Sequence, residues 1–275
     1  MNGNWLLLAA VAFPLVLLLT CLLGRLRNAM PRLLWVAPFP ALVAAIISPW
    51  DVPMVLSGAP YHATLRLDAS GSMLLTAASL LWIVAGYYAP RFFREKGIGG
   101  SFVVCWLLTL TGSLGIFLAA DLASFLLFYA LVSLPAYGLV RYDDTPSARR
   151  AGAIYMGFAL LGENLLLLGF ILLALNLPEG SLMISEVVSA LRSAPSRDAI
   201  LSLLITGFGM KIALLPMHFW MPLSYTASPI PAAAALSGAA VKAGIIGLIR
   251  FLPFETALPS WGGLLTIVGL CGAFY

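Results

Sequence analysis

Long apolar runs are the feature that most constrains how this chain folds. The 275 residues hold eight complete runs of roughly the length that crosses a bilayer, and part of a ninth. The runs are 4–24, 33–48, 71–90, 101–120, 122–141, 151–176, 199–222 and 229–251, with a last one from about 261 to the end. Only 9% of the residues are charged, against about a quarter in soluble domains. A water-soluble fold could not bury this much apolar surface.

The composition of these runs predicts helices rather than strands. They are rich in Leu, Ala, Phe and Gly and lack the strict alternation of a membrane β-barrel. Backbone groups in lipid must be satisfied internally, which a helix does within its own segment. We therefore predict an all-α fold, a polytopic transmembrane helix bundle. The polar interval 49–70 predicts a short exposed hairpin, and 177–198 contains one or two amphipathic turns at 184–191.

The basic residues indicate how the bundle is oriented. Nine of them lie in the connections after the first, third and fifth runs: Arg25, Arg27, Arg32, Arg91, Arg94, Lys96, Arg141, Arg149 and Arg150. We assign four to the other connections: Arg66, Arg192, Arg197 and Arg250. Because basic loops stay in the cytoplasm, this asymmetry predicts an amino terminus outside the cytoplasm. The net charge of +4 thus reports orientation and does not predict nucleic-acid binding.

Several common kinds of site are missing from the sequence. We find no phosphate-binding glycine loop, dinucleotide fingerprint, zinc cluster or hydrolase elbow, so we expect no cofactor, metal site or catalytic residue in this chain. Cys21, Cys105 and Cys271 lie in different runs and are interpreted as packing residues. The first run lacks a basic start and is read as a retained helix. Because the chain ends inside an apolar run, we expect the ancestral protein to continue beyond Tyr275.

Three ionisable residues lie near the centres of apolar runs. Glu163, Lys211 and Lys242 each fall within a helical turn of the midpoint of their run. An ionisable side chain at this depth is costly and usually functional. Both lysines are roughly 16 Å or more from either end of their runs, too far for the amine to reach the interface. A proton path explains them, and a structural ion pair between Glu163 and Lys211 is the alternative.

A proline in the run 199–222 predicts an interrupted helix. Pro216 removes a backbone hydrogen bond, and a broken helix in lipid must be packed in protein or line a wet cavity. His218, which titrates near neutral pH, follows two residues later. Counted as a helix, it would lie about 10 Å along the axis from Lys211.

These residues form a pattern with a known counterpart. The segments 209–222 (GMKIALLPMHFWMP), 227–229 (ASP) and 236–244 (LSGAAVKAG) resemble the antiporter-like subunits of respiratory complex I. The same family includes subunits of membrane-bound hydrogenases and of multisubunit sodium/proton antiporters. The resemblance runs from about Asp68 to the end of the chain.

The resemblance implies an architecture. The family fold contains two inverted five-helix repeats, each with a broken helix. Residues 101–251 would form the first repeat, 252–275 would begin the second, and 1–100 would supply three preceding helices around the outer loop 49–70.

The resemblance also implies roles. Lys211 would be the central lysine of the broken helix, Lys242 the connecting lysine, Glu163 an acidic partner and His218 the histidine of the break. The implied function is proton translocation in a complex I-like NADH/quinone or hydrogenase-linked oxidoreductase. Redox chemistry would then occur in partner subunits. The chain would pack against other membrane-arm subunits in an energy-coupling membrane such as the bacterial inner membrane.

One departure from the family pattern affects this interpretation. Ala130 stands where most members have a glutamate that pairs with the broken-helix lysine, and the nearby Tyr129 and Ser133 are neutral. Either Glu163 replaces that partner or the subunit conducts poorly. We hypothesise that Lys211 alternates between Glu163 and water leading toward Lys242. A cation/proton antiporter subunit and a non-conducting scaffold are the alternative functions.

Overall fold

The computed structural model describes residues 5–23, 29–58, 61–95, 97–175, 182–191, 194–252 and 259–274. Among the basic residues used above for orientation, Arg25, Arg27, Lys96 and Arg192 fall outside these ranges. The described chain is a bundle of helices with one small hairpin, which confirms the predicted all-α class.

The helices follow one another along the chain with few other elements. They are α1 (Trp5–Leu22), α2 (Met30–Leu33), α3 (Phe39–Ile47), α4 (Ala69–Phe92), α5 (Gly100–Gly115), α6 (Leu122–Ser133), α7 (Ala136–Val140), α8 (Pro146–Leu175), α9 (Ile184–Leu191), α10 (Arg197–Lys211), α11 (Trp220–Ala227), α12 (Ile230–Ala235), α13 (Lys242–Phe251) and α14 (Pro259–Phe274). A π-helical segment, Leu236–Ala240, joins α12 to α13. Strands β1 (Met54–Gly58) and β2 (Tyr61–Leu65) pair antiparallel, as the predicted hairpin requires.

Five segments of the described chain are long and apolar enough to cross a bilayer. They are Trp5–Leu22, Ala69–Phe92, Leu122–Val140, Pro146–Leu175 and Ile230–Phe251. Gly100–Gly115 and Trp261–Phe274 are shorter apolar helices. Many large apolar side chains, such as Leu19, Val84 and Leu161, face outward. An apolar exterior of this kind suits lipid rather than water, and the chain is a polytopic membrane protein.

Two predicted runs are interrupted in the structure. The run 33–48 is not one continuous helix, because α2 ends at Leu33, where the run begins, and α3 begins only at Phe39. Pro38 and Pro40 flank that start, and proline favours the first turn of a helix while interrupting a continuing one. The run 199–222 breaks between α10 and α11, as predicted, but the break begins at Ile212, before Pro216.

The hairpin and several connections meet at one end of the bundle, called the hairpin end below. The Ala120 amide donates to the Thr64 carbonyl at 2.9 Å, and the Ile184 amide donates to the Ala120 carbonyl at 3.0 Å. Asp121 is buried there; its carboxylate accepts from the Ser124 amide at 2.8 Å and from the Thr64 amide at 2.7 Å. Asp121 therefore caps α6 and fastens the hairpin to it.

The opposite end carries exposed charge. The Gly99 amide donates to the Tyr142 hydroxyl at 2.9 Å, which joins the connections before α5 and after α7. Asp144 accepts hydrogen bonds there from Arg149 and Arg141, and these bonds lower the pKa of the Asp144 carboxyl group from its ordinary value. Basic connections before and after α5–α7 thus share one end of the bundle.

Glycines allow the helices around the centre of the bundle to approach closely. A methyl group at Gly207 in α10 would lie 2.7 Å from Leu166 Cγ and 3.0 Å from the Gly162 carbonyl oxygen in α8. At Gly244 in α13 it would lie 3.0 Å from the Phe208 carbonyl oxygen. Small residues permit such contacts between membrane helices. As a result, the end of α10 is held tightly between α8 and α13.

Candidate functional site

Lys211 is the last residue of α10, and its side chain points into the bundle. The residue is only 7% exposed. Its Nζ donates a hydrogen bond of 2.7 Å to Ser133 Oγ, at the end of α6, and a longer one of 3.5 Å to the Tyr155 hydroxyl of α8. The amine also lies 5.6 Å from the centre of the Tyr129 ring and 5.8 Å from that of Tyr155. Hydroxyl groups and aromatic faces therefore surround the buried amine.

The helix break positions this lysine. Ala213 has a φ of 55°, a left-handed conformation that ends α10 just beyond Lys211. Two carbonyl groups near the break have partners outside the regular helix pattern. The Gly209 carbonyl accepts from the Leu214 amide at 2.8 Å. The Met210 carbonyl accepts from Trp220 Nε1, also at 2.8 Å. Because these partners are protein groups, the interruption is tolerated inside the bundle.

Glu163 of α8 is the acidic residue beside this amine. It is half-buried, its Oε1 is shielded from solvent, and no described residue donates a hydrogen bond to that oxygen. The carboxyl group lies near the Ser133 hydroxyl and interacts electrostatically with Lys211. Lys211 nevertheless makes its shortest polar contact with Ser133 and not with Glu163. A hydroxyl group thus lies between the amine and the carboxyl group.

A small cavity accompanies these side chains. It is lined by Tyr129, Ser133, Tyr155, Gly162 and Lys211, among others, and offers room for about one water molecule. The Tyr129 hydroxyl is also buried and has no hydrogen-bond partner among the described residues. The lining therefore combines polar groups with unused hydrogen-bonding capacity, which suits a bound water.

Lys242 is the first residue of α13, directly after the π-helical segment. It is half-buried, and its Nζ donates to the Ser237 carbonyl at 3.3 Å. In the segment itself, the Val241 amide bonds to the Leu236 carbonyl at 3.2 Å, and π-bulges of this kind are frequent at functional sites. A methyl group at Gly244, two residues after Lys242, would lie 3.2 Å from Lys211 Cβ. The two lysines therefore lie on neighbouring helices, which pack against each other where Gly244 meets Lys211.

His218 lies in the non-helical segment between α10 and α11. Its ring stacks on Phe219 with the ring centres 4.6 Å apart, and its carbonyl accepts from the Met221 amide at 3.1 Å. The predicted separation of 10 Å from Lys211 assumed a helix and does not apply, because residues 212–219 are not helical. The prediction that His218 carries protons stays untested.

Two neighbours of Lys211 were not selected from the sequence, and the position of Arg250 was predicted wrongly. Ser133 and Tyr155 contact Lys211, although Ser133 was considered only as a neutral side chain that could not replace a charge. Its spacing of three residues from Ala130 on α6 was an available signal, since such residues share a helix face. Arg250 was assigned to a connection, and this was wrong: it lies in α13 with its side chain 8% exposed.

Within the described ranges of the chain, the side chains form neither a metal-binding cluster nor a disulfide bond. In those ranges no group of three or more His, Cys, Asp or Glu side chains is placed to hold a metal ion. Cys21, Cys105 and Cys271 are free thiols in α1, α5 and α14.

A broken helix with a buried lysine at its break, inside a polytopic bundle, defines the class of antiporter-like membrane subunits. Residues 119–275 match the family described as "NADH:quinone oxidoreductase/Mrp antiporter, TM". This match covers more than half of the chain, so the chain belongs to that family. The resemblance inferred from the lysine and proline motifs is confirmed.

Individual relatives come from several kinds of complex. Hydrogenase-4 component B of Escherichia coli is 30% identical over 77% of this chain and 33% of its own length. The NADH-quinone oxidoreductase subunit N of Chromohalobacter salexigens is 26% identical over 93% of this chain and 53% of its own length. A chain in the solved Mrp complex of a Dietzia species superposes with a TM-score of 0.77 at 21% identity, over 90% of this chain and 48% of its own.

These comparisons show the fold of this chain and do not show its activity. The structural likeness shows a shared helix arrangement, in agreement with the predicted antiporter-like bundle. The chain spans about a third of the hydrogenase relative and about half of the other two proteins. Activity and partners of those longer proteins therefore do not transfer to this chain as findings.

Proposed function

We propose that this chain is a proton-translocating membrane subunit of a complex I-like oxidoreductase, linked to NADH and quinone or to a hydrogenase. The observation that carries the proposal is the Lys211 amine, buried at a helix break beside Glu163 and a cavity with room for about one water. The chain contributes no redox centre, and electron transfer takes place in partner subunits.

The chemistry of the site suits proton transfer. A buried amine is destabilised in its charged form, and a nearby carboxylate opposes this effect. Lys211 therefore holds a proton when Glu163 is ionised and interacts with it, and releases the proton when that interaction weakens. The neutral amine accepts a proton and the charged amine donates one, so the pair can load and unload protons in alternation.

The onward path leads from Lys211 to Lys242. Their helices meet at Gly244, which lies against the backbone of α10 near Lys211. The Lys242 amine is held by a carbonyl of the π-helical segment and not by a carboxylate, so it is free of a fixed counter-ion in the described chain. His218, within the non-helical segment between α10 and α11, is a further proton carrier on this route.

We extend the proposal to domains and partners. Residues 101–251 act as the proton-conducting repeat, 252–275 begin a second repeat, and 1–100 pack against the first. The partners are other membrane-arm subunits and the lipid bilayer, because the relatives come from multisubunit membrane complexes.

The orientation belongs to the same proposal. We place the chain in the bacterial inner membrane with the amino terminus and the hairpin end outside the cytoplasm. Arg91, Arg141 and Arg149 lie toward the opposite end, as the positive-inside rule requires for cytoplasmic loops. In a background without native cysteines, Arg149→Cys should react with a membrane-impermeant maleimide from the cytoplasmic side only, and Val52→Cys from the outside only. The reverse pattern would invert the orientation.

Two alternatives have specific support. The similarity to a chain of an Mrp complex favours a cation/proton antiporter subunit that needs no redox partner. Ala130, in place of the family glutamate, favours a scaffold that does not conduct.

Membrane vesicles containing the assembled complex separate these functions. Lumenal pH is followed with a fluorescent probe, first with an electron donor and then with a sodium gradient alone. The oxidoreductase proposal predicts a donor-dependent pH gradient that Lys211→Ala abolishes and Glu163→Gln strongly reduces. Asn164→Ala is the control, because Asn164 is exposed next to Glu163 and bonds only to its own helix, at the Leu160 carbonyl.

Each other outcome decides against the proposal. A pH gradient driven by sodium without a donor would identify an antiporter. Unchanged proton transport in Lys211→Ala would eliminate this lysine as a carrier and leave the scaffold function for the chain.

A further inference from the structure

Ser133 occupies the position between the two ionisable groups of the site. It is the last residue of α6, is completely buried, and accepts the 2.7 Å hydrogen bond from Lys211 Nζ. Its own hydroxyl proton points to the Tyr129 carbonyl one turn back, at 3.0 Å. A bond of this kind is weak and is exchanged by rotation about a single side-chain torsion.

The carboxyl group on the other side of Ser133 is incompletely satisfied. Glu163 Oε1 is shielded from solvent and receives no hydrogen bond from a described residue, yet the Ser133 hydroxyl is its neighbour. A buried oxygen without a donor is unfavourable, so rotation of the hydroxyl from the Tyr129 carbonyl toward Glu163 is favoured when the carboxylate is charged. In that rotamer Ser133 accepts from the amine and donates to the carboxylate at the same time.

We propose that the Ser133 hydroxyl relays a proton between Lys211 and Glu163, an inference that rests on the function proposed for this site. The Lys211 ammonium gives a proton to Ser133 Oγ while Ser133 gives its original proton to a Glu163 carboxylate oxygen. One N–H and one O–H bond break, and two O–H bonds form. The result is a neutral amine, a neutral carboxylic acid and an unchanged serine, with no electrons transferred.

The surrounding side chains keep this geometry in place. The Tyr155 hydroxyl donates to the Ser133 carbonyl at 3.1 Å and accepts from Lys211 at 3.5 Å, so it fixes the end of α6 relative to the amine. The tight α8–α10 contact at Gly162 and Gly207 lies one residue from Glu163 and one turn from Lys211. The relay groups are therefore held by three helices whose separation is fixed by packing.

The relay also accounts for the alanine at position 130. A glutamate there would be one helical turn from Ser133 on α6 and could contact the lysine directly. With Ala130, the nearest carboxyl group comes from a different helix, α8, and a hydroxyl group is interposed. Ser133 thus connects Lys211 to a carboxyl group, a contact that Ala130 does not make.

A matched pair of variants tests the hydroxyl itself. Threonine and valine have nearly the same shape and differ by the hydroxyl group, so Ser133→Thr and Ser133→Val are compared in the assembled complex. Donor-driven proton uptake is measured in vesicles in ordinary and in deuterated water, and electron transfer and assembly on a native gel are followed in parallel. Ser133→Ala is the third variant, in case the added methyl group of the pair prevents assembly.

The relay predicts that Ser133→Thr retains uptake within about threefold of the parent while Ser133→Val and Ser133→Ala lose tenfold or more. The solvent isotope effect should persist in the threonine variant. Equal loss in the threonine and valine variants would overturn the relay, because shape and not the hydroxyl would then matter. Full uptake in Ser133→Ala would overturn it as well.

The Lys211→Ala complex is measured beside these variants. If that variant pumps normally, the function proposed for the site fails. If it is inactive while Ser133→Val and Ser133→Ala pump normally, only the relay fails and Lys211 exchanges protons with Glu163 by another route.

Discussion

The Arg250 guanidinium and the Asp68 carboxylate meet at the hairpin end, with Nε to Oδ2 at 3.1 Å and Nη2 to Oδ1 at 3.2 Å. The same guanidinium donates to the carbonyls of Phe117 and Ala119, both at 2.7 Å, where the chain turns after α5. Asp68 in turn caps α4 through the Gly71 amide at 2.6 Å. Through these contacts Arg250 joins α13, the last helix of residues 101–251, to α4 and to the turn between α5 and α6.

Replacing Arg250 by alanine should destabilise the bundle. The change leaves the carbonyls of Ile116, Phe117 and Ala119 and a partly buried carboxylate without this donor. Breaking one side of a buried pair costs about 3–5 kcal/mol. The midpoint of thermal unfolding of the detergent-solubilised chain should fall clearly. Arg91→Ala is the control, since Arg91 is exposed and lies 4.0 Å above the Tyr87 ring. Equal midpoints for the two variants would contradict the role assigned to Arg250.

Closing the glycine contact between α8 and α10 should disturb both stability and transport. A methyl group at Gly207 would lie 2.7 Å from Leu166 Cγ, and overpacking of this kind costs about 1–3 kcal/mol. Because Lys211 lies one turn further on α10, Gly207→Ala should also slow proton uptake in vesicles. Gly157→Ala in α8, with nothing within 4 Å of the added methyl group, should leave both unchanged. Normal uptake in Gly207→Ala would show that the spacing is not required.

A carboxylate introduced on α6 should take over the role of the Glu163 carboxylate on α8. Ala130 and Ser133 share a helix face, so Ala130→Glu brings a carboxylate to the side of Lys211. In a Glu163→Gln background, Ala130→Glu is expected to recover at least a tenth of parental proton uptake, whereas Ala130→Gln should recover none. Failure of the glutamate variant, with assembly intact, would mean that Glu163 acts through its position and not only its charge.

The sequence predicted the broad architecture because bilayer physics leaves few choices. A run such as 151–176 has to be a helix, and a lysine at its run's centre has to face protein, as Lys211 does. The 33–48 run was harder to predict, because its prolines allow either a kink or a complete interruption. The break after Lys211 begins before Pro216 because Ala213 takes a left-handed conformation. An alanine in a sequence does not indicate this conformation, which residues with a side chain seldom adopt.

Side-chain pairings depended on contacts between distant segments. Asp68 and Arg250 are 182 residues apart, and only the packing of α4 against α13 brings them together. Arg250 stands one residue before the end of the apolar run 229–251 and was counted with the connection that follows this run. Ser133 and Tyr155 carry no charge, so hydropathy gave no reason to select them. The helical spacing from Ala130 was a signal for Ser133, whereas only the fold identifies Tyr155 as a partner of Lys211.

Exchange of a proton between the buried Lys211 amine and the half-buried Glu163 carboxyl group is the central claim. Difference infrared spectroscopy of the complex during turnover tests it most directly. We predict a carbonyl band of a protonated carboxylic acid that appears on turnover and disappears in both Glu163→Gln and Lys211→Ala. Asn164→Ala should keep the band. A spectrum without such a band, or a band unaffected by either substitution, would contradict proton exchange between Lys211 and Glu163.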